Sequence, residues 1–295
     1  MNVIVSGATG LIGSAVVSSL RGQGHGVEPL VRTKPTASVY WDPYAGEIAA
    51  DKLEGHDAVV HLAGETIAGR WTAEKKRRIR ESRLEGTKLL SDAIARLAKP
   101  PAVFLCASAI GYYGNRGDEI LREDSVPGAD FLANLCREWE AATKPAADKG
   151  VRVVNLRFGV VLSAKGGALA KMLPPFRVGL GGIIGNGRQY WSWIALDDVV
   201  AAIEFALTNE KLTGPVNVVA PNPVTNRQFT KTLGRVLDTP AIFPMPAFAA
   251  RLAFGEMADA LLLASQRVEP AKLKAAGFQW RFPELEAALR HAPGK

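Results

Sequence analysis

The hydrophobic positions of the first 160 residues fall into short continuous runs, separated by longer amphipathic stretches. The apolar runs lie at residues 3–6, 27–31, 57–64, 102–107 and 151–156. Runs of this length are typical of buried strands. The amphipathic stretches predict helices over residues 11–22, 72–97 and 130–148. Because strands that alternate with helices form parallel sheets through right-handed crossovers, we predict an α/β fold with a Rossmann-type doubly wound parallel sheet.

The pattern loosens after residue 163, where glycine-rich and mostly helical segments follow. We therefore predict two parts. The first is a Rossmann domain over residues 1–163, completed by sheet segments from 197–220. The second is a smaller mixed region on the substrate side over residues 164–295, with a small helical C-terminal domain from about residue 245.

The first strand runs directly into a turn with three glycines, Gly7, Gly10 and Gly13. In dinucleotide-binding proteins such glycines allow a tight turn, a close approach of backbone N–H groups to a pyrophosphate, and close helix–strand packing. The N-terminus of the following helix adds partial positive charge. An ordinary strand–helix turn is the alternative. The predicted cofactor contacts of this turn are Gly7, Thr9, Gly10, Leu11, Ile12 and Gly13.

The end of the second strand indicates which dinucleotide the turn would bind. NAD-preferring sites place a carboxylate there, roughly 20 residues after the glycine turn, on the ribose 2′-hydroxyl. This chain has Arg32 and Thr33 instead, with Glu28 as the nearest carboxylate. A guanidinium can hold a 2′-phosphate through two hydrogen bonds, whereas a carboxylate would repel it. The sequence therefore predicts NADP as cofactor, and a solvated arginine at a strand end is the alternative.

The net charge of +7 raises the question of nucleic-acid binding. Its densest source is the helix predicted over residues 72–97, where lysines and arginines are interleaved with Glu74, Glu81 and Glu85. This mixture is typical of a solvated helix face. We therefore expect a small-molecule substrate and no nucleic-acid partner.

The patterns of cysteines, histidines and apolar residues predict the compartment of the protein and whether it binds a metal or spans a membrane. Cys106 and Cys136 lie in a predicted strand and a predicted helix and are expected to be buried thiols, which suits a reducing cytoplasm. The histidines show no metal-ligand spacing, so no metal site is expected. Prolines and charges interrupt the apolar segment 241–264, so no membrane span is expected. We predict a cytoplasmic protein that is a monomer or a homodimer.

Aromatic residues and an arginine follow the glycine-rich segment 179–187. Glycine-rich loops beside clustered aromatics are typical of a mobile wall over a pocket. A surface loop with tryptophans packed beneath it is the alternative. The predicted substrate contacts are Arg188, Gln189, Trp191 and Trp193.

Several motifs together resemble those of extended short-chain dehydrogenase/reductases. They are the glycine turn, Leu62-Ala63-Gly64, Ser108 to Gly114, and Arg157 to Leu162. The motifs Gly166-Gly167-Ala168-Leu169, Gly179-Leu180-Gly181-Gly182, Gly187-Arg188-Gln189 and Trp193-Ile194 resemble an atypical epimerase-like subgroup, often called sugar nucleotide epimerases. The C-terminal Phe254-Gly255-Glu256-Met257 and Gly277-Phe278 resemble that subgroup's small terminal domain of unknown function.

This resemblance implies NADP binding in a Rossmann-type domain, with the substrate in a cleft against the C-terminal part. It extends the predicted cofactor site beyond the glycine turn. The additional predicted cofactor residues are Arg32, Thr33, Leu62, Ala63, Gly64, Arg83 and Arg157.

The catalytic pair of the resembled family is missing. Active short-chain reductases use Tyr-x-x-x-Lys on one helix, where the tyrosine transfers the proton and the lysine lowers its pKa. At that place this helix has Phe131 and Leu135. Ala195 also replaces the histidine that is usual in the subgroup. Ordinary reductase chemistry therefore does not carry over.

Three residues after the strand at 102–107 remain as catalytic candidates: Ser108, Tyr112 and Tyr113. A tyrosine without a lysine neighbour keeps a pKa of about 10, which makes it a poor base but a usable acid. Glu123 and Asp124, in the next loop, are alternative bases.

The sequence thus favours an NADP-binding, epimerase/dehydratase-like oxidoreductase that acts on an unidentified substrate such as a nucleotide sugar or a small carbonyl compound. The alternative is a non-catalytic NADP(H)-binding sensor or interaction protein, which the missing Tyr/Lys pair favours. Hydride transfer from bound cofactor separates the two.

Overall fold

The structure is a computed structural model and describes residues 1–32 and 39–292. Its strands are β1 (Asn2–Ser6), β2 (Gly26–Val31), β3 (Val39–Asp42), β4 (Glu47–Ile48), β5 (Ala58–His61), β6 (Val103–Ala109), β7 (Ile120–Leu121), β8 (Arg152–Phe158), β9 (Val160–Leu162), β10 (Tyr190–Trp191), β11 (Trp193–Ala195), β12 (Gly214–Val218), β13 (Val224–Thr225) and β14 (Arg267–Val268).

The α-helices are α1 (Leu11–Gly22), α2 (Ala73–Arg96), α3 (Phe131–Ala141), α4 (Lys144–Asp148), α5 (Gly167–Arg177), α6 (Leu196–Thr208), α7 (Asn226–Val236), α8 (Ala247–Phe254), α9 (Ala271–Ala275) and α10 (Leu285–His291). Short 3-10 helices lie at Ala50–Leu53 and Ile110–Tyr113, and a π-helical turn lies at Ala258–Leu263.

The predicted parallel sheet is confirmed. Within the described residues, eight strands form one sheet in the order β12-β8-β6-β5-β1-β2-β3-β4. Neighbouring strands run parallel, except that β3 and β4 form an antiparallel hairpin at one edge. The chain order reverses direction at β1, which lies between β2 and β5. In sheets of this kind, ligands bind beyond the carboxyl ends of the strands at this switch point.

The two faces of the sheet are covered by different helices. Along β1, Val3 and Val5 belong to one core and Ile4 to the other, because side chains alternate across a strand. The first core includes Ile203 of α6, and the second includes Leu90 of α2. All five side chains are fully buried. Burial on both faces explains why the strands are continuous apolar runs.

The helix predicted over residues 72–97 is confirmed as α2, and Thr72 caps it by accepting from the N–H of Lys75. The single helix predicted over residues 130–148 is wrong, because the chain forms α3 and α4 with a break between them. Pro145 lies in the first turn of α4, where its missing N–H is tolerated, whereas it would disrupt the interior of a continuous helix.

Residues after β8 build a smaller core that includes Leu162, Trp193, Phe229 and Leu289. Two two-stranded sheets support it, β9 with β11 and β10 with β13. Within the described residues a third, β7 with β14, packs in a separate cluster with Ile110 and Tyr113. Between these elements, α6 and β12 return to the large sheet. The division of the chain into domains stays a prediction.

Cys106 and Cys136 are free and buried, as predicted, and burial raises the pKa of both thiols to about 12. Among the described residues, no helix is long and apolar enough to cross a membrane. In the same part of the chain, no cluster of His, Cys, Asp and Glu side chains is arranged to hold a metal ion.

Candidate cofactor and active site

The three glycines of the first turn differ in what a side chain would meet. Gly7 has a φ of +68°, and a Cβ there would lie 2.8 Å from the backbone of Leu62 and Ala63. A Cβ at Gly13 would lie 2.1 Å from the carbonyl oxygen of Gly7. A Cβ at Gly10 would approach only that same carbonyl, at 3.2 Å. The fold itself therefore requires Gly7 and Gly13, whereas the space in front of Gly10 is open.

The N-terminus of α1 faces this open space. Gly10 is its N-cap, and no side chain caps the helix. The first N–H groups of a helix have no partner within the helix, and together they form an anion-binding site. The turn therefore fits the pyrophosphate of a dinucleotide in both shape and charge.

The loop after β5 is held against this turn by a buried serine. The Ser6 hydroxyl oxygen accepts hydrogen bonds from the N–H groups of Leu62, at 3.2 Å, and Ala63, at 3.3 Å. Ser6 is fully buried. The two predicted cofactor segments, one after β1 and one after β5, are thus neighbours at the carboxyl edge of the sheet.

His61 supports that serine from inside the core. Its Nδ1 lies 2.6 Å from the Ser6 hydroxyl, and its Nε2 lies 3.1 Å from the Thr87 hydroxyl. Because the Ser6 oxygen already accepts twice, its O–H donates to Nδ1, and Nε2 carries the ring proton. Burial lowers the pKa of His61 to about 4, so the ring is neutral at pH 7.

Arg83 of α2 lies beside the same loop. Its guanidinium carbon would be 3.3 Å from a Cβ at Gly64, and it lies 5.0 Å from the centre of the Trp139 ring. Nη1 donates to the carbonyls of Glu65 and Ile79. Arg83 therefore fixes the loop that carries Leu62, Ala63 and Gly64, and a cofactor contact for Arg83 stays a prediction.

Arg32 follows β2 directly and is exposed at the carboxyl edge of the sheet. β2 is the strand next to β1, with Leu30 opposite Ser6. This is the edge where the ribose of a dinucleotide on the glycine turn would lie. Thr33, also a predicted cofactor contact, lies outside the described residues.

Arg157 is not at the surface of this site, which corrects its assignment as a cofactor contact. Its side chain is 2% exposed and donates to both carboxylate oxygens of Glu140, at 2.7 and 2.8 Å. Burial lowers the pKa of Arg157, and the hydrogen bonds and charge of Glu140 more than offset this, so the pKa stays above its ordinary value. A charge that is paired and buried in this way is part of the core.

Ser108 is also tied to this buried pair. Its hydroxyl donates to Glu140 at 2.7 Å, and the residue is only 3% exposed. A hydroxyl has one proton, so Ser108 has none left for a substrate. The following residue, Ala109, is partly exposed and has no hydroxyl.

The two tyrosines of the 3-10 helix have different surroundings. Tyr113 is fully buried, donates to Asn217 at 2.7 Å and accepts from Arg157 at 2.9 Å. Burial raises the pKa of Tyr113 to about 12, so the expected value near 10 is wrong. Tyr112 is partly exposed, and its ring centre lies 3.5 Å from the Arg157 guanidinium. The structure thus moves the catalytic candidacy from Tyr113 to Tyr112.

The face of α3 that meets the sheet carries Leu132, Cys136 and Glu140, which are four residues apart. Glu140 contacts the ends of β6 and β8, and a Cβ at Gly111 would touch Leu132 at 3.3 Å and Cys136 at 3.9 Å. The placement of the missing catalytic pair at Phe131 and Leu135 stays a prediction. The neighbouring side chains on the face that meets the sheet, a leucine and a buried thiol of pKa about 12, do not transfer protons at pH 7 either.

The predicted substrate wall is mostly core. Trp193 is fully buried and donates to the carbonyl of Asn222, while Trp191 packs on Phe229 with ring centres 5.2 Å apart. Gln189 is buried and donates to two backbone carbonyls. These placements correct the assignment of Gln189, Trp191 and Trp193 as substrate contacts. Arg188 is exposed, and a substrate contact there stays a prediction.

The structure places the two alternative bases, Glu123 and Asp124, in different surroundings. Glu123 is buried, and its carboxylate accepts from the N–H groups of Asn217 and Lys272, both at 3.1 Å. It therefore joins the loop after β7 to β12 and α9. Asp124 is exposed.

Sequence reasoning missed two residues that organise this region, Glu140 and Asn217. Glu140 stands eight positions after Leu132 on one helix face, and this spacing could have marked it as a partner for a strand-end arginine. Asn217 carries no such signal, because its partner Tyr113 is 104 residues away in the chain.

Taken together, the switch-point glycine turn and the loop after β5 define a Rossmann-type dinucleotide-binding protein of the extended short-chain dehydrogenase/reductase type. Residues 3–220 match the family model described as "NAD dependent epimerase/dehydratase family", and residues 245–292 match "Domain of unknown function (DUF1731)". The chain belongs to the NAD dependent epimerase/dehydratase family.

Similar proteins cover nearly the whole chain. Epimerase family protein Mb2239 of Mycobacterium bovis is 46% identical over 293 residues, with 98% of this chain and 97% of that protein covered. The Arabidopsis thaliana protein "Epimerase family protein SDR39U1 homolog, chloroplastic" is 40% identical, with 98% and 86% covered. The compartment of the present chain stays a prediction.

A solved structure shares the architecture. The human epimerase family protein SDR39U1 (isoform2), crystallised with NADPH, superposes with a TM-score of 0.92 at 38% identity, and 99% of each chain is covered.

Proposed function

We propose that this chain binds NADP(H) across the glycine turn and the loop after β5 and acts as an oxidoreductase on a small molecule. The observation that carries the proposal is the turn itself. Gly10 has open space where a pyrophosphate would lie, whereas Gly7 and Gly13 have protein against them. The NADPH in the human relative supports the same cofactor here.

The preference for NADP(H) over NAD(H) rests on Arg32. A charge-assisted hydrogen bond to the 2′-phosphate contributes about 1.5–3 kcal/mol, or roughly 10- to 100-fold in affinity. We expect NADPH to bind more tightly than NADH, and Arg32→Asp to reverse the order. Arg177→Asp, an equal charge change at the exposed end of α5, is the control and should leave the preference unchanged. Equal affinities in the unaltered protein would refute the assignment.

The pyrophosphate contact is tested at Gly10. Gly10→Val should abolish NADPH binding while the fold survives, because the added methyl groups would occupy the open space in front of the turn. Gly22→Val, at the other end of α1, is the matched control, since a Cβ there meets no atom within 4 Å. Normal NADPH binding by folded Gly10→Val would show that the turn is only structural.

The reaction that fits the site best is reduction of a carbonyl. Bound NADPH would supply a hydride to the carbonyl carbon, and the oxygen must then gain a proton to give the alcohol. Tyr112 is the tyrosine near the end of β6 with a partly exposed side chain. The Arg157 guanidinium stacked on its ring, at 3.5 Å, holds it in place. We assign proton donation to the Tyr112 hydroxyl.

A second candidate function is NADP(H) sensing without turnover. It is favoured because the Ser108 hydroxyl is already bonded to Glu140, and because the sheet-facing side of α3 carries Leu132 and Cys136, which cannot transfer a proton. An NADPH-oxidation screen across nucleotide sugars and small carbonyl compounds separates the two. Turnover that Tyr112→Phe lowers and Tyr113→Phe preserves in folded protein supports the reductase. Tight NADPH binding with no turnover across the screen supports the sensor.

A further inference from the structure

The C-terminal region of the chain holds the loop after β5. This loop spans residues 62–72 and begins with the predicted cofactor contacts. Its Gly69 N–H donates to the Met257 sulfur at 3.2 Å, and the Arg70 guanidinium donates to the Leu252 carbonyl at 3.3 Å. Both acceptors lie outside the large sheet, in helix α8 and just after it.

Packing and charge strengthen this contact. Trp71 and Met257 belong to one apolar cluster, and they are only 8% and 7% exposed. Lys76, in the first turn of α2, forms an ion pair with Glu256. Hydrogen bonds, a shared apolar cluster and a charge pair thus join the same two segments of the chain.

The same part of the chain contacts the glycine-rich segment 179–187 a few residues later. The Gln189 side chain is buried, and its amide nitrogen donates to the carbonyls of Leu262, at 3.0 Å, and Ile184, at 2.9 Å. An amide nitrogen carries two hydrogens, so both are used. Gln189 therefore ties Leu262 to the segment that was predicted to form a wall over the substrate pocket.

Residues 252–265 connect these two contacts, and we call them the bridge. A π-helical turn at Ala258–Leu263 forms the middle of the bridge. Ala258 is fully buried and Ala264 is 6% exposed, so the bridge is packed into the protein at both ends of this turn. Close-packed interiors have low compressibility and transmit a displacement from one contact to the next. A change in the loop after β5 therefore reaches the glycine-rich segment through the bridge.

We propose that the bridge couples NADP(H) binding to the order of the glycine-rich segment on the substrate side. The inference rests on the proposed NADP(H) site. A cofactor in contact with residues 62–64 restricts the loop after β5, and the bridge then restricts the residues attached at its other end. Because coupling is reciprocal, loosening the bridge also weakens NADP(H) binding. The region that matches the domain of unknown function, residues 245–292, thereby acts on the cofactor site.

Hydrogen exchange followed by mass spectrometry, with and without saturating NADPH, tests the coupling. In the unaltered protein NADPH should slow the exchange of backbone amides in the loop after β5, in the bridge and in the glycine-rich segment. In the bridge and the glycine-rich segment the exchange should slow at least about fivefold, which is the lower end of ordinary coupling factors. Slowing confined to residues 7–13 and 62–72 would overturn the proposal.

A charge-balanced double variant loosens the bridge at its cofactor end. Arg70→Ala with Glu256→Gln removes two exposed side chains that hold the loop and leaves the net charge unchanged. The dissociation constant for NADPH should rise at least about fivefold. At saturating NADPH the loop after β5 should still be slowed, whereas the slowing in the bridge and in the glycine-rich segment should be lost.

The matched control is Arg235→Ala with Glu286→Gln. It removes an exposed ion pair of 2.7 Å between α7 and α10 with the same charge balance. Since this pair does not contact the loop after β5, the NADPH dissociation constant and the exchange pattern should stay as in the unaltered protein.

The remaining outcomes are decisive as well. If NADPH contacted the glycine-rich segment directly, the saturated double variant would keep the slowing there, and the proposal would be overturned. If the double variant does not fold, Glu256→Gln alone must weaken that slowing, and unchanged slowing would again overturn the proposal. An unaltered protein that binds no NADPH would refute the proposed function and the coupling with it. NADPH binding without slowing outside residues 7–13 and 62–72 would remove only the coupling.

Discussion

Acid should destabilise this fold through His61, a fully buried imidazole. Burial lowers the pKa of His61 from 6.5 to about 4, because the imidazolium would lose its hydration in the core. Protonation would also convert Nδ1 from an acceptor to a donor and break its hydrogen bond with the Ser6 hydroxyl, at 2.6 Å. In the unfolded chain the same histidine titrates near pH 6.5.

The sign and size of the effect follow from these two pKa values. Between pH 6.5 and 4 the unfolded chain binds more protons than the folded chain, so the free energy of unfolding falls as the pH falls. The part of the free energy of unfolding that depends on neutral His61 is intact above pH 6.5 and is lost completely below about pH 4. One pKa unit corresponds to about 1.36 kcal/mol, so the full loss is about 3 kcal/mol. At pH 5.0 about 2 kcal/mol of it should already be gone.

Urea unfolding at pH 7.5 and pH 5.0, followed by tryptophan fluorescence, measures this loss. His61→Gln keeps a hydrogen-bonding side chain that does not titrate. Between the two pH values its free energy of unfolding should therefore fall by about 2 kcal/mol less than that of the unaltered protein. Thr87→Ser keeps both the hydroxyl partner and the histidine, and should therefore lose as much as the unaltered protein. Equal losses in the unaltered protein and in His61→Gln would refute the reasoning.

Two further predictions concern buried contacts. Glu140→Gln leaves the Arg157 guanidinium buried without its counter-charge and should lower the free energy of unfolding in urea by about 3–5 kcal/mol. Gly13→Ala places a Cβ 2.1 Å from the Gly7 carbonyl oxygen and should cost at least about 1–3 kcal/mol, seen as a lower Tm, together with weaker NADPH binding. Gly22→Ala, with open space around it, should instead raise the Tm slightly.

The main sheet could be predicted from the sequence because its signal is local. Strands buried on both faces must be continuous apolar runs, and Val3 to Val5 show this directly. The hairpin of β3 and β4 could not be predicted in the same way. Its strands have four and two residues, which is too short for a hydrophobic period to appear.

The glycine turn was also predictable, since its requirements lie within seven residues. The positive φ of Gly7 and the close approach at Gly13 are consequences of a helix that starts directly after a strand. The cofactor itself is inferred from Gly10 and Arg32 and stays a proposal.

The side chains around the end of β6 were misplaced because their partners come from distant elements. Order along the chain puts Ser108, Tyr113 and Arg157 at strand ends, where family likeness suggests a site. Whether each faces a cleft or the core depends on Glu140, 17 residues before Arg157, and on Asn217, 104 residues after Tyr113. Such pairings leave no periodic trace in a single sequence.

The tryptophans after the glycine-rich segment, Trp191 and Trp193, also could not be placed from the sequence alone. Tryptophans beside glycine loops form either a pocket wall or a packed core, and both arrangements have the same local sequence. Trp193 is placed in the core by Asn222, which accepts its indole N–H at 3.1 Å. The alternative of a loop with tryptophans beneath it therefore describes this region.

The helix that carries the catalytic pair in short-chain reductases has two separable tasks here. Glu140, near its C-terminal end, pairs with Arg157 and holds α3 to the ends of β6 and β8. Cys136 and Leu132, one and two turns earlier, lie beside Gly111, where a Cβ would meet Leu132 at 3.3 Å and Cys136 at 3.9 Å. Because the Glu140 pairing and this apolar packing dock the helix, a proton-transferring pair is not needed for the fold. The cofactor turn and its His61 support can thus persist in a chain that lacks this pair, whether Tyr112 takes over the proton or the site only binds NADP(H).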